Sequence, residues 1–464
     1  MLAAIANTFA NCFKIPELKS RIIFTLVVLG ICRVIAMIPI PGIDGVALAD
    51  YFDKAAPRAG GGGLLGMYSM FTGGALEHCA LGALGIMPYI SATIIIQLLT
   101  AVIPRLSKLA REEGGRPKLI QYGRYLTVAL CIGQGFFVAM QWENPAGMYP
   151  NFSGKLVMYS ASYIWWYRIQ TVIMVTTGTM LLMWLGEQIT ERGIGNGVSL
   201  VISIGIIARL PQAFQALLDM FRGQAEKGSN FNIFIFHLIA MLALLVAVVA
   251  GVIANTQAQR KIPVQHAQRA VGRKIYAGQT SFMPLRVNFA GVMPVIFAQA
   301  LLMFPQRLFL QAGDVLKMKF LGQIASWLNE GHAVYLLLYG LLILFFSYFW
   351  VATQFNELQI ADDLKKHGGY IPGVRPGQAT STYLHNAMSR ITLAGAIFLT
   401  VIAVIPSVLY RYMGVPYPVA TFFGGTSILI LIGVMLDTMR QMESHLLMRH
   451  YDGFLKKGRI RGRF

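Results

Sequence analysis

Apolar stretches of about 20 residues recur along the chain and are separated by short polar segments. A helix needs about 20 apolar residues to cross the hydrocarbon core of a bilayer. We therefore expect an all-α, polytopic membrane protein. The pattern predicts ten membrane-spanning helices, at 22–40, 81–103, 120–140, 169–185, 198–217, 233–253, 289–310, 335–353, 391–410 and 418–436.

One apolar region is too long for a single crossing. Residues 64–103 are interrupted mainly by Gly73, Gly74, Glu77 and His78. If 64–80 also crossed the membrane, the next loop would lie outside, which the positive-inside tendency opposes. That loop, 104–124, carries the cations Arg105, Lys108, Arg111, Arg116, Lys118 and Arg124. We therefore predict that 64–80 is a re-entrant segment that enters and returns, with the two glycines as its hinge and protein or a wet cavity around it.

The placement of positive charge predicts the topology. With both termini in the cytoplasm, 27 of the 39 Lys and Arg residues fall on the cytoplasmic side. Ten helices divide into two pseudo-symmetric halves of five, 1–217 and 218–464, and an odd number per half inverts the second half. The cytoplasmic loops 254–288 and 354–390 are long and basic, which favours a surface for a soluble partner.

Composition supports the membrane assignment and argues against other classes. Hydrophobic residues make up 56% of the chain and charged residues 13%, with a mean hydropathy of +0.58. Soluble domains carry about 25% charged residues. These values exclude a disordered chain and argue against a soluble enzyme. The net charge of +19 follows from the basic cytoplasmic segments without requiring nucleic acid as a ligand.

The sequence contains no enzyme or cofactor motif in the structural setting that such a motif requires. Gly61, Gly63 and Gly66 satisfy GxGxxG, but no strand precedes them, so an external loop is favoured over a dinucleotide site. The cysteines show no metal-binding spacing. We expect no catalytic residue, cofactor or metal. The run GEQITERGIGNGVS, 186–199, indicates a tight polar turn, with a ligand site as the alternative.

Two pairs of apolar residues repeat at helical spacing. Ile86 and Ile90 are four residues apart, as are Val198 and Ile202, so each pair shares one helix face. Core packing or lipid contact would explain these pairs without any further role. Arg33, inside the first predicted span, is costly at depth unless it pairs or reaches the interface, and a structural role is the simplest interpretation.

Several longer segments resemble the SecY family, the channel-forming subunits of the bacterial protein translocase. The resemblance covers nearly the whole chain and includes IPIPGID (38–44), MFTGGALE (70–77), ALGIMPYISATIIIQLLT (83–100), the 186–199 run, PGVRPG (372–377) and FGGTSILI (423–430). It implies a clamshell of the first five and last five spans around an hourglass pore.

The resemblance also implies roles for individual residues. The pore ring falls on Ile86, Ile90, Val198, Ile202, Ile296 and Ile430, with Val198 replacing the isoleucine often found there. The plug, about 64–74, includes Leu64, Leu65, Met67, Tyr68, Met70, Phe71, Gly73 and Gly74. Lateral-gate residues, between the second, third, seventh and eighth spans, would be Ser91, Gln134 and Asn288. Residues that dock cytosolic partners would be Arg273, Lys274 and Arg375.

The implied function is that of a passive protein-conducting channel in the bacterial inner membrane. Its implied partners are SecE and SecG, the motor ATPase SecA, the ribosome, signal sequences, nascent polypeptides and membrane lipids. A secondary transporter is the alternative class. It would require ionisable residues at mid-membrane, which the spans nearly lack apart from Arg33. A nucleic-acid-binding membrane protein is a third reading, through the basic loops.

Overall fold

The computed structural model describes residues 15–55, 69, 71–112, 114–145, 152, 154–159, 163–226, 231–266, 269–271, 274–276, 280–316, 318–328, 332–413, 419–420, 422 and 426–457. The chain forms two compact units. The first unit comprises Met1–Arg222, Pro416–Pro418 and Ile430–Phe464, and the second comprises Gly223–Val415 and Val419–Leu429.

Helices make up the first unit in the part of the chain described. They are α1 Pro16–Ile35, α2 Gly45–Ala55, α3 Met87–Val102, α4 Pro104–Arg111, α5 Gly115–Glu143, α6 Ile164–Arg192, α7 Gly197–Ala208 and α8 Leu210–Glu226, which runs just past the end of the unit. The last helix, α15 Thr426–Lys457, belongs to this unit from Ile430 onward. Within the unit, α5 packs on α3 and α6, and α1 packs on α6 and α7.

The first helix ends earlier than the hydrophobic pattern predicts. Helix α1 stops at Ile35, whereas apolar residues continue to position 40. Pro39 lacks an amide hydrogen and disfavours helical backbone at the residue before it. Residues 38–40 instead run beside 79–81, since Ile40 N donates to Cys79 O at 3.0 Å and Leu81 N donates to Ile38 O at 2.8 Å.

The segment between Gly73 and Ile86 is irregular and buried. Its backbone forms successive turns, and Leu76, Cys79 and Leu84 are 0% exposed. The predicted span 81–103 therefore becomes helical only at Met87. Non-helical backbone at membrane depth is tolerated where protein covers it. The irregular segment overlaps the predicted re-entrant segment 64–80 over residues 73–80, and its re-entry into the membrane stays a prediction.

Helix α3 ends in a sharp bend. Pro104 begins α4, and the axes of α3 and α4 differ by 106°. Proline fits the first turn of a helix because the amide there has no intrahelical acceptor. The α4 sequence, PRLSKLAR, is basic, so the chain leaves the apolar span at this bend.

The second unit combines long helices with a small sheet. Its helices are α9 Phe231–Gln257, α10 Met293–Leu316, α11 Lys319–Trp327, α12 Ala333–Gln354, α13 Glu357–Lys366 and α14 Gln378–Met413. Helix α12 packs on α10 and α14, and α13 packs on α14.

The basic loops of the second unit contain strands that the sequence analysis did not predict. Strands β1 Gln259–His266, β4 Thr280–Arg286 and β5 Gly369–Tyr370 form an antiparallel sheet in the order β4-β1-β5, and β2 Arg269–Val271 pairs with β3 Lys274–Tyr276. The buried side chains beneath the sheet join those of α12 and α14 in one cluster that includes Ile262, Leu285, Val351, Phe355, Ile371 and Leu384. Both loops therefore share a folded base.

The prediction of a helical membrane protein is confirmed. Among the described residues, six helices are long and apolar enough to cross a membrane, and the bent α3–α4 pair would make a seventh. The six are Gly115–Glu143, Ile164–Arg192, Gly197–Leu218, Ile239–Gln257, Ala333–Lys366 and Gln378–Leu409. The count of ten spans stays a prediction.

Candidate functional site

Two of the predicted ring residues lie where the re-entrant segment becomes helix α3. Ile86 is the residue that precedes the helix, and Ile90 N donates to Ile86 O at 3.2 Å. Their side chains are 2% and 4% exposed. The first turn of α3 therefore presents two buried isoleucines in succession.

The next two ring residues lie in the first turns of α7. Asn196 caps this helix, since its Oδ1 accepts a hydrogen bond from Ser199 N at 3.2 Å. Val198 is half-buried and Ile202 is buried. Asparagine is a preferred cap because its side chain satisfies an amide that lacks a helical partner.

The first turns of α3 and α7 both lie against Gly186 of helix α6. A Cβ added at Gly186 would lie 3.7 Å from Ile86 Cδ1 and 3.6 Å from Val198 N. A Cβ added at Gly197 would lie only 1.8 Å from Gly186 O, so α7 approaches α6 this closely only because Gly197 has no side chain. The structure thus gathers Ile86 and the start of α7 around one point on α6.

The last two ring residues lie on separate units. Ile430 is 0% exposed on α15, at the point where that helix enters the first unit. Ile296 is 1% exposed on α10 of the second unit. Each is a buried aliphatic residue in its own unit.

The 186–199 run forms a turn whose amides are held by side chains from other segments. Ile194 N donates to Thr25 Oγ1 of α1 at 3.1 Å, and Gly195 N donates to Gln441 Oε1 of α15 at 2.7 Å. Gly197 N donates to Thr190 Oγ1 at 2.9 Å. These hydrogen bonds hold the run as a tight turn against α1 and α15, as the sequence predicts.

The described part of the predicted plug is buried. Phe71 is 4% exposed, and Gly73 and Gly74 have φ angles of +64° and +89°, which favour glycine. Leu64, Leu65, Met67, Tyr68 and Met70 lie outside the described residues, as do the glycines of the GxGxxG run.

A buried polar cluster that the sequence analysis did not predict includes residues of the predicted plug and its neighbours. The Glu77 carboxylate accepts from Ser69 Oγ at 2.7 Å and pairs with Arg209 at the end of α7 at 2.5 Å. Arg33 Nη1 donates to Gly73 O at 2.5 Å. The available signal was Glu77 itself, because an acidic residue in a long apolar stretch requires a partner.

Two of the predicted gate residues lie on helices of the first unit, and the third precedes a helix of the second unit. Ser91 on α3 and Gln134 on α5 are half-buried, and these two helices pack on each other. Asn288, just before α10 in the second unit, is 8% exposed, and its Nδ2 has no hydrogen-bond partner among the described residues.

Of the three residues predicted to dock cytosolic partners, the structure describes Arg375 and Lys274. Arg375 is exposed in the loop between β5 and α14, where Gly373 and Gly377 adopt φ angles of +83° and +103°. Thr380 Oγ1 donates to Arg375 O at 2.9 Å, which fixes the backbone beneath the guanidinium. Lys274 lies in strand β3, and Arg273 lies outside the described residues.

A metal site finds no support in the part of the chain that the structure describes, which contains no group of three His, Cys, Asp or Glu residues placed to hold an ion. The described cysteines, Cys32, Cys79 and Cys131, are buried and unpaired with one another.

Comparisons with known proteins agree along nearly the whole chain. A sequence model described as SecY matches residues 80–439. The protein translocase subunit SecY of Chlamydia trachomatis is 42% identical, over 98% of this chain and 99% of the relative. That of Escherichia coli K12 is 40% identical, over 96% of each.

Solved structures share the fold. A protein-conducting channel superposes with a TM-score of 0.58 at 18% identity, covering 91% of each chain. Sec61 from the canine ribosome–channel complex gives a TM-score of 0.56 at 18% identity, with the same coverage. The extent of the family match and the identity of the relatives show that this chain belongs to the SecY family of protein translocase subunits, which are channel subunits and not enzymes.

Proposed function

We propose that the chain forms a passive pore for unfolded polypeptides in the cytoplasmic membrane and releases apolar helices sideways into the lipid. The observation that carries this proposal is the meeting of Ile86 and the first turn of α7 around Gly186. An apolar constriction dewets and so blocks ions. Aliphatic side chains also make non-directional contacts with any sequence that passes.

The pore ring in this proposal consists of Ile86, Ile90, Val198, Ile202, Ile296 and Ile430. A polar ring of the same size would hydrogen-bond to some substrates and would stay wet. Val198 is one methylene smaller than isoleucine, so the ring stays apolar and is slightly wider at that point. The segment 64–74 acts as the plug that closes the pore beside this ring.

Lateral release depends on polar contacts that break at low cost. We assign this role to Ser91, Gln134 and Asn288, since polar bonds between membrane helices contribute about 0.6–2 kcal/mol each. An apolar signal helix can displace bonds of this strength. The buried Asn288 Nδ2 has no hydrogen-bond partner within the described part of the chain, which supports this role, because a buried amide without a partner is destabilising.

Energy for transport comes from a partner, since the chain carries no nucleotide-binding motif. We assign docking of SecA and the ribosome to the basic loops, with Arg375, Lys274 and Arg273 as contacts. SecE and SecG complete the channel, and both termini lie in the cytoplasm. The exposed Arg375 on a loop with fixed backbone supports this assignment.

The secondary-transporter alternative gains no support from the buried ionisable residues. Arg33 lies in the last turn of α1, and Arg209 directly follows the end of α7. Glu77 is paired with Arg209. Arg33 donates to the Gly73 carbonyl, so each of these groups has a partner within the protein, whereas a coupling site requires ionisable groups that bind and release an ion.

Ion leak through reconstituted channels tests the proposed ring. Replacing Ile86, Ile90 and Ile296 together with Ser should raise the resting ion conductance at least tenfold, because a hydroxyl-lined constriction holds water. Leu99→Ser, on an exposed face of the same helix α3, is the matched control and should leave the leak unchanged. Unchanged conductance in the triple variant would reject the ring.

A further inference from the structure

Arg33 and Arg209, at the ends of α1 and α7, both form hydrogen bonds with residues 69–77 of the predicted re-entrant segment. Arg209, at the end of α7, pairs with the Glu77 carboxylate and also donates to Ser69 Oγ. Ser69 Oγ in turn donates to Glu77 Oε1 at 2.7 Å. The three side chains therefore form a closed triangle of hydrogen bonds in which the hydroxyl acts as both donor and acceptor.

Arg33 holds the same segment at a second point. Its Nη1 donates to the carbonyl of Gly73 at 2.5 Å. A Cβ at Gly73 would lie 2.8 Å from Arg33 Nη1 and 3.0 Å from Gly205 Cα of α7. The glycine therefore allows the guanidinium and helix α7 to approach the segment backbone together.

The cluster contains a fixed part and a part that belongs to the plug. Glu77 is followed by buried turns in which Gly82 approaches Ala36 at the end of α1 and Leu81 approaches Gly178 of α6, with Cys79, Ala80 and Ala83 each 0% exposed. Ser69 precedes the Gly73-Gly74 turn in the chain, and Gly73 is the first residue of that turn. Movement of the plug about these glycines would separate Ser69 from a Glu77–Arg209 pair that stays in place.

Charge balance favours the closed arrangement. Among the described residues, two guanidiniums face a single carboxylate, and the remaining acceptors are the Ser69 hydroxyl for Arg209 and the Gly73 carbonyl for Arg33. Both of these oxygen acceptors belong to the segment. Withdrawing the segment would therefore remove acceptors from buried or half-buried cations, which is unfavourable in a low-dielectric environment.

We propose that Arg209, Glu77 and Arg33 are positioning residues that form a catch for the plug, with Ser69 as its releasable member. This inference rests on the proposed function, since it assigns what holds the plug that the function requires. The catch sets how often the resting channel opens. Hydrogen bonds of this kind have defined directions, so they also fix one closed position of the segment.

The test compares variants in proteoliposomes by resting ion leak and, separately, by transport of a preprotein with SecA and ATP. Ser69→Ala removes the releasable hydroxyl without burying a charge and should raise the leak about tenfold. Replacing Glu77 and Arg209 together with Met removes both partners of Ser69 in the catch, leaves Arg33 in place, and keeps an apolar side chain of similar size at each position. This double variant should leak to a similar degree, and adding Ser69→Ala to it should raise the leak less than twofold further.

Ser347→Ala is the matched control, because Ser347 is a buried serine of α12 that bonds within its own helix. It should behave as the unmodified channel does. A wild-type leak in Ser69→Ala, or an independent tenfold effect of Ser69→Ala in the double variant, would overturn the catch. Failure of the unmodified channel to transport preprotein would instead overturn the proposed function, so the two failures are distinguishable.

Discussion

Alanine in place of Gly73 should weaken closure of the channel strongly. Gly73 has a φ of +64°, a left-handed conformation that costs an L-residue with a side chain about 1–2 kcal/mol. The new Cβ would also lie 2.8 Å from Arg33 Nη1 and 3.0 Å from Gly205 Cα. Real Cβ atoms essentially never lie 2.8 Å from another heavy atom and seldom lie 3.0 Å from one, so the end of the Arg33 side chain must move off the segment and α7 must yield by a few tenths of an ångström.

The expected magnitude follows from these two effects. Loss of a hydrogen bond from a charged donor costs about 1.5–3 kcal/mol, which adds to the backbone strain. The closed state should therefore lose about 2.5–5 kcal/mol relative to an open state in which the segment is free. Because about 1.4 kcal/mol is a factor of ten, the closed-to-open equilibrium should shift by about 100-fold or more.

Gly74→Ala is the matched control for backbone strain. Its φ is +89°, but a Cβ there would lie 3.6 Å from Arg209 Nη2 and 3.8 Å from Glu77 Oε2, which are ordinary contacts. This variant should show only the strain of about 1–2 kcal/mol, a shift of about tenfold. The difference between the two alanines isolates the contact with Arg33 and α7.

Labelling of a cysteine at Phe71 measures the opening. Phe71 is 4% exposed, so Phe71→Cys in a chain with its native cysteines replaced by Ala should react slowly at rest. Its reaction rate with an external thiol reagent should increase about tenfold with Gly74→Ala and at least about tenfold more with Gly73→Ala. Equal rates in the two alanine variants would refute the role of the Arg33 contact.

Two further predictions concern the gate and the cytoplasmic loop. Gln134→Leu or Asn288→Leu should change the signal-sequence hydrophobicity needed for transport several-fold, since about 1 kcal/mol is involved per bond; identical dependence on signal hydrophobicity would indicate static helix contacts. Arg375→Lys should impair SecA-driven transport because Lys lacks the planar donor fork, and Arg375→Glu should nearly abolish it with the channel still inserted. Wild-type SecA stimulation and ribosome binding by Arg375→Glu channels would contradict docking at this residue.

The long helices and the re-entrant segment could be predicted because lipid imposes a simple rule on sequence. Every backbone polar group must be satisfied within the protein, so apolar length and the positions of cations carry most of the information. The same rule placed helix ends poorly. Pro39 and Gly85 change the direction of the chain, but the residues around them are as apolar as those of the helices. Hydrophobicity alone therefore does not show where α1 ends or where α3 begins.

The strands in the basic loops could not be separated from charged loop sequence by the same reasoning. In β1, Ile262 and Val264 alternate with exposed residues, a period-two pattern over only eight positions. The partners that bury them, including Phe355 and Leu384, are about 100 residues away in the chain. A single short alternation does not identify so distant a partner. The positive charges around it are equally typical of an exposed loop, so they do not indicate a strand.

The polar cluster could not be predicted because its members, Arg33, Glu77 and Arg209, are distant in sequence. Its position suggests that holding the plug and lining the pore depend on different residues. Apolar contacts are non-directional, so the proposed pore ring would admit any sequence but would not by itself hold a plug in one position. Hydrogen bonds to Ser69 and to the Gly73 carbonyl are directional, and they are made by Arg209 and Arg33 rather than by ring residues. A buried pair such as Glu77–Arg209 adds little net stability compared with an apolar pair, and its clearest benefit is one defined arrangement. Selection of the closed state and tolerance of diverse substrates can therefore be altered independently, because they depend on different side chains.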